Sequence, residues 1–404
     1  MQKIIGTILA VALFSSGVIC GDLFNKYVPF EGIVFEKKEE PKSEAPKEEN
    51  KEEEKLDIDK KAEEILSSMT LDEKIYQMMF VTPESITGIG QCVQAQEGTK
   101  EALKKYPVGG IIYFEKNVQD KEQLKTMIQN TQSFSKIPLF IGVDEEGGSV
   151  RRLGVIESLG MTYIGDMADV GSSGDSSRAY EAAKTISKEI SELGFNVDFA
   201  PVCDVLTNSE NTVVKRRSFG SDASVVSAMA ASFANGLQDN NISACLKHFP
   251  GHGGTAGDTH DGYAENSASK EEILKNETEA FKKGIEEGVD FVMTGHISVP
   301  ALTDSNVPAS LSADVIKLLK EEYGFEGVVI TDALNMGAIS QNFSVGDSAK
   351  MAVVAGNDMI LMPSDVTKAF VAIKSALGNS ITEEDINESV LRILKVKIKR
   401  GLIK

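Results

Sequence analysis

Between residues 77 and 362 the chain carries eight short apolar runs, most of them followed by a longer stretch with amphipathic helical spacing. The runs are 77–81, 110–114, 139–143, 197–202, 244–248, 291–294, 328–331 and 359–362. Helical patterns fall between them at 121–134, 177–193, 224–238, 270–287, 313–322 and 345–355. Alternating strand and helix implies parallel strands joined by right-handed crossovers. Eight repeats predict a closed α/β barrel of the (β/α)8 TIM type, with a last helix over 383–399. The chain is 41% hydrophobic and 25% charged, enough for one large core of this kind. The folded domain is therefore assigned to 56–404, opening with helical spacing for which Thr70 is an N-cap. No second domain is expected after the final helix.

The residues before the barrel have a different character. From Ile4 to Cys20 the sequence is nearly unbroken apolar, so 1–21 is assigned as a signal peptide or membrane anchor. Cys20-Gly21-Asp22 suggests a lipoprotein acylated at Cys20, although Ile19 stands where a small residue is usual. An uncleaved anchor is the alternative. Residues 36–55 contain only Glu, Lys, Pro, Ser, Asn and Ala. Such a stretch cannot bury enough apolar surface to offset its ordering entropy. Residues 22–55 are thus expected to be a disordered charged tether holding an extracytoplasmic or secreted monomer off a membrane. The net charge of −19 argues against nucleic acid as a partner. Four scattered cysteines give no disulfide framework.

The ionisable residues are concentrated at the ends of the apolar runs. Asp144-Glu145-Glu146-Gly147-Gly148 comes after the third run, Asp204 after the fourth, His296 after the sixth and Asp332 after the seventh, while Lys247-His248 ends the fifth. In a barrel these positions share the C-terminal face, where active sites are built. Three of the four histidines lie between Lys247 and His260. Asp258 and His260, two residues apart in a glycine-rich loop, can form a dyad in which the carboxylate orients the imidazole for acid/base work. Asp332 at the barrel mouth suits a nucleophile or an electrostatic stabiliser. Lys247, Arg152 and Arg217 are potential hydroxyl or carboxylate binders. The histidine spacing fits no common zinc pattern, and Pro250-Gly251 breaks any helix between His248 and His252. No phosphate-binding glycine loop is present, so neither metal nor nucleotide cofactor is expected.

Taken together, the segments from Lys247 to Gly253 and Asp258 to His260 resemble the signature of glycoside hydrolase family 3, in its β-N-acetylglucosaminidase branch. Similar matches occur in the expected order: Asp144 to Leu153, Phe199 to Val205, Arg217 to Gly220, and Ile330 to Met336. The resemblance implies a retaining hydrolase acting on terminal β-linked N-acetylglucosamine (GlcNAc), with peptidoglycan fragments among the substrates and no cofactor. Asp332 matches the nucleophile and His260 the acid/base, paired with Asp258. Asp144, Arg152, Arg217, Lys247, His248, His296 and Met336 match sugar-binding or pocket positions, and His252 a loop support. Most retaining glycosidases use two carboxylates instead. The chain departs from the family at Ala333, where a second Asp is frequent, and at Glu145, where Gln is. A phosphorylase on the same fold, another family 3 specificity, a metallohydrolase and a glycan-binding protein are the alternative readings.

Overall fold

The computed structural model describes residues 48–255, 264–303 and 307–404. The expected anchor and the tether as far as residue 47 lie outside the described residues. Eight strands form the barrel: β1 (Met79–Val81), β2 (Gly110–Ile112), β3 (Phe140–Val143), β4 (Val197–Asp198), β5 (Ser243–Phe249), β6 (Phe291–Thr294), β7 (Val328–Ala333) and β8 (Met359–Leu361). They pair in chain order, all in parallel, and β8 closes on β1. This is the expected (β/α)8 barrel, and each of the eight apolar runs holds one strand. A strand between the barrel interior and the helical layer is buried on both faces, so it reads as continuous apolar sequence.

The helices return the chain outside the barrel: α1 (Glu97–Lys105), α2 (Lys121–Phe134), α3 (Ser176–Leu193), α4 (Ala223–Gln238), α5, α6, α7 (Val345–Val354), α8 (Val366–Ala376) and α9 (Glu383–Lys399). α5 is broken. It runs Lys270–Glu272, widens over Ile273–Glu277 and resumes as Glu279–Glu286. α6 (Ala313–Lys317) likewise widens over Leu318–Glu322. A widened turn inserts an extra residue and rotates the rest of the helix about its axis. Thr70 caps its helix, Leu71–Gln77, with a complete capping box to Glu73.

Aromatic side chains fill the barrel interior. Phe80 meets Phe199 with ring centroids 5.2 Å apart, and Phe140 meets Phe291 at 5.0 Å. Space for them comes from glycine: a Cβ on Gly142 would lie 2.7 Å from Phe80. Below this layer, α9 sends Lys397 into the barrel base, where Nζ donates to Gln77 Oε1 at 2.8 Å and sits 4.9 Å from the Phe140 ring centre. The base is thus plugged, and active sites in such barrels are built at the opposite end. Among the described residues no helix is long and apolar enough to cross a membrane.

Candidate active site

At the C-terminal end of β5, Lys247 donates to Asp144 Oδ1 at 2.8 Å and to Glu146 Oε1 at 2.7 Å. Arg217 grips Glu146 through a two-bond fork, Nε to Oε2 at 2.8 Å and Nη2 to Oε1 at 2.7 Å. Lys247 and Glu146 are each 2% exposed. Two cations and two anions this close, two of them out of water, are tolerated only when every charge is paired. Burial disfavours the Glu146 carboxylate, but Arg217 and Lys247 outweigh it and hold the group well below the usual carboxylate range. Burial also disfavours the Lys247 ammonium, and Asp144 and Glu146 hold it above the usual lysine range. Glu146 reaches this position on a small hairpin, Glu145–Gly147 against Val150–Arg151. Its turn needs positive φ at both Gly147 (85°) and Gly148 (55°).

Asp204 organises the next sector. Its Oδ2 lies 2.8 Å from His248 Nδ1, and its Oδ1 accepts the amides of His248 (3.1 Å) and His252 (2.7 Å). Burial raises the Asp204 carboxyl, yet His248, His252 and these amides keep it below its ordinary value. An ionised Asp204 fixes the proton of His248 on Nδ1 and leaves Nε2 as the ring's second site. His252 Nδ1 pairs with Thr255 Oγ1 at 2.7 Å, while its buried Nε2 has no partner among the described residues. Burial lowers the pKa of His252 and keeps the ring neutral. The Lys247–His248 and Phe249–Pro250 peptide bonds are both cis.

Asp332 stands in the last turn of β7, half-buried, with Oδ1 accepting the amide of Ala333 at 2.7 Å. Burial raises its carboxyl, but His296, His248, the Ala333 amide and Lys247 together bring it below its ordinary value. The carboxylate is therefore ionised at neutral pH. His296 is fully buried and both ring nitrogens have protein partners, Ser310 Oγ at 2.7 Å and the Ala333 carbonyl at 3.0 Å. The carbonyl can only accept, so the proton is on Nε2 and the Ser310 hydroxyl donates to Nδ1. His296 thus braces the backbone beside Asp332.

Asp144, Lys247, Glu146 and Arg217 thus form one ion cluster, His248 pairs with Asp204, and Asp332 lies in electrostatic range of His296, His248 and Lys247. Arg152 joins the ion cluster through its backbone, donating its amide to the Asp144 carbonyl at 3.1 Å. Its side chain reaches Glu115 at 3.2 Å, and its buried Nε has no partner among the described residues. Met336 is half-buried and starts the short helix Gly337–Ser340 beyond Asp332. Asp258 and His260 lie outside the described residues. Among those that are described, no three His, Cys, Asp or Glu side chains gather as metal ligands.

Of the buried carboxyls not singled out by sequence alone, three bear on this end of the barrel. Glu146, the centre of the ion cluster, is visible there only as one of three consecutive acids. Asp198 ends β4 fully buried, with Oδ1 accepting the Glu145 amide at 2.9 Å and burial raising its pKa well above the ordinary value. Its one signal is a charge inside an apolar run. The third, Glu277, interrupts the amphipathic pattern of α5 and faces inward.

Comparison with known proteins gives this geometry a family. Residues 70–396 match the family described as glycosyl hydrolase family 3, N terminal domain. A β-hexosaminidase A of Pseudoalteromonas piscicida is 33% identical over 74% of this chain and 54% of its own length. The β-hexosaminidase LpqI of Mycobacterium tuberculosis is 33% identical over 65% of this chain and 68% of its own. A solved family 3 β-N-acetylglucosaminidase from Paenibacillus superposes with a TM-score of 0.77 at 36% identity, covering 83% of this chain and 63% of that one. The chain thus spans little more than half of the Pseudoalteromonas relative.

Proposed function

The chain belongs to glycosyl hydrolase family 3, and from that premise we propose that it is a retaining exo-β-N-acetylglucosaminidase acting on terminal β-linked GlcNAc. The observation that carries the reading is the place of Asp332: a carboxylate near the C-terminal end of β7, its Oδ1 on the Ala333 amide at 2.7 Å, with His296, His248 and Lys247 in electrostatic range. A group so held can attack an anomeric carbon and form a glycosyl-enzyme. The Asp144–Lys247–Glu146–Arg217 array offers hydroxyl-binding groups whose directions are fixed before substrate arrives. In this reading Asp144, Arg152, Arg217, Lys247 and His248 hold the sugar, and Met336 and His296 shape the wall around Asp332. His260, oriented by Asp258, protonates the leaving oxygen and then takes a proton from the water that releases GlcNAc. The relatives' names, β-hexosaminidase and β-N-acetylglucosaminidase, also point to a carbohydrate substrate. The apolar segment from Ile4 and the polar tether support an anchored, extracytoplasmic protein working on peptidoglycan fragments or other GlcNAc-ended glycans.

The test is turnover of an aryl β-GlcNAc glycoside by the wild type and by Asp332→Ala, with and without phosphate. The proposal predicts hydrolysis that phosphate leaves unchanged, and a loss on the order of 10³-fold or more in the variant. Activity near wild type in Asp332→Ala contradicts the nucleophile assignment. Release of GlcNAc 1-phosphate instead of free GlcNAc identifies the phosphorylase alternative.

A further inference from the structure

Nothing in the proposed reaction uses Glu277. It lies in the widened turn of α5, 2% exposed, beneath the loop that comes after β5. Its Oε1 accepts from Thr207 Oγ1 at 2.7 Å and from Asn266 Nδ2 at 3.4 Å. The backbone of the loop rests on the same carboxyl. A Cβ on Gly251 would fall 2.5 Å from Oε2, and one on Gly254 would fall 2.7 Å from Oε1. The Gly254 amide faces the carboxyl as a donor. Gly251 takes φ +136°, a conformation that favours glycine. Oε2 is buried and has no hydrogen-bond partner among the described residues.

We propose that Glu277 is a positioning residue that seats residues 251–255, and with them the buried ring of His252, against the top of the barrel. The inference rests on the glycosidase reading, because its kinetic effect is measured as turnover. Two carboxyls hold this segment from two sides. Asp204 takes the amide of His252 at 2.7 Å, and Glu277 supports Gly251 and Gly254. Their protonation states differ. Asp204 is kept ionised by its histidines and amides. Burial pushes the Glu277 carboxyl up to about 7; Asp204 adds repulsion, while Thr207, Asn266 and the Gly254 amide pull the other way. Asp204, backed by His248 and His252, is the titratable group that faces it.

A carboxyl with a raised folded pKa contributes its support while protonated, and the support is lost as pH rises through about 7. Above that point a second anion forms beside Asp204 with one oxygen unpaired, which favours displacement of the loop. Thr255 is two residues short of the Gly257-Asp258 pair, so a displaced segment misplaces the expected acid/base.

Glu277→Gln keeps the shape and stays neutral at every pH. On an aryl β-GlcNAc glycoside, wild-type kcat/KM is expected to fall above pH 7, and E277Q to hold its value about one pH unit further. Thr207→Val removes a hydrogen bond that favours the ionised form, and it is expected to move the limb in the same direction should E277Q fold poorly. A merely structural role changes melting temperature without moving this limb, and superimposable limbs overturn the proposal. Hydrogen exchange of a peptide covering 248–255, corrected for intrinsic rate, is expected to speed about threefold between pH 6 and pH 8 in wild type and not in E277Q. Equal responses also overturn it, whether or not the protein turns over substrate. An inactive wild type with the predicted exchange difference leaves Glu277 in this role and removes the glycosidase reading instead.

Discussion

Glu146 shows how much one buried carboxylate can organise. It receives two cations of the site, Lys247 at 2.7 Å and Arg217 through a fork. Glu146→Gln keeps the shape but removes the one anion that both Lys247 and Arg217 bond. Breaking a buried pair from one side costs about 3–5 kcal/mol. The variant is therefore expected to melt several degrees lower and to raise KM about tenfold, with β-GlcNAc specificity retained. A thermal melt and a Michaelis curve check both. Sequence puts Asp144, Lys247, His248, His296 and Asp332 at or just after the ends of apolar runs, and in the structure each lies at or just beyond the C-terminal end of a barrel strand. Pairing is what sequence cannot supply. Lys247 and Glu146 are 101 positions apart, and only the return of the chain around the barrel joins them. His296 marks the difference most clearly. Its place in the sequence suggests a pocket residue, and its two nitrogens are given to Ser310 and Ala333.

At the scale of elements, the fold is legible because barrel strands are buried on both faces and their apolar runs stand out. Helices with broad apolar faces are equally plain: α2 and α9 span the expected residues. Two predicted helices, over 270–287 and 313–322, each contain a widened turn instead of running straight. Periodicity at 3.6 residues carries no mark for one inserted residue. α9 also brings a group that helical spacing alone cannot place. Lys397 is fully buried at the barrel base, and burial lowers its pKa to about 7. With the unfolded value at 10.5, the unfolded chain binds more protons between about pH 7 and pH 10.5, so this lysine's contribution to stability rises with pH across that window. Relative to Lys397→Met, the wild type is expected to gain on the order of 1 kcal/mol per pH unit there. Denaturant unfolding at pH 7, 8 and 9 measures it, and a constant difference between the two proteins would contradict a charge-based penalty.

Viewed whole, the molecule separates stability from chemistry along the barrel axis. Lys397 and Gln77 plug the base and aromatic rings fill the middle. The charged cluster occupies the end where eight strands deliver their loops. Asp332 on β7 and Lys247 on β5 are separated by only one strand, β6, in the closed sheet. In the proposed reaction Asp332 bonds covalently to the sugar during turnover. Incubation with a slowly released β-GlcNAc substrate, acid quenching and peptide mapping by mass spectrometry test it directly. One N-acetylhexosamine residue is expected on the peptide that contains Asp332. Turnover with the adduct on another residue, or turnover that releases the α-anomer first, would contradict it.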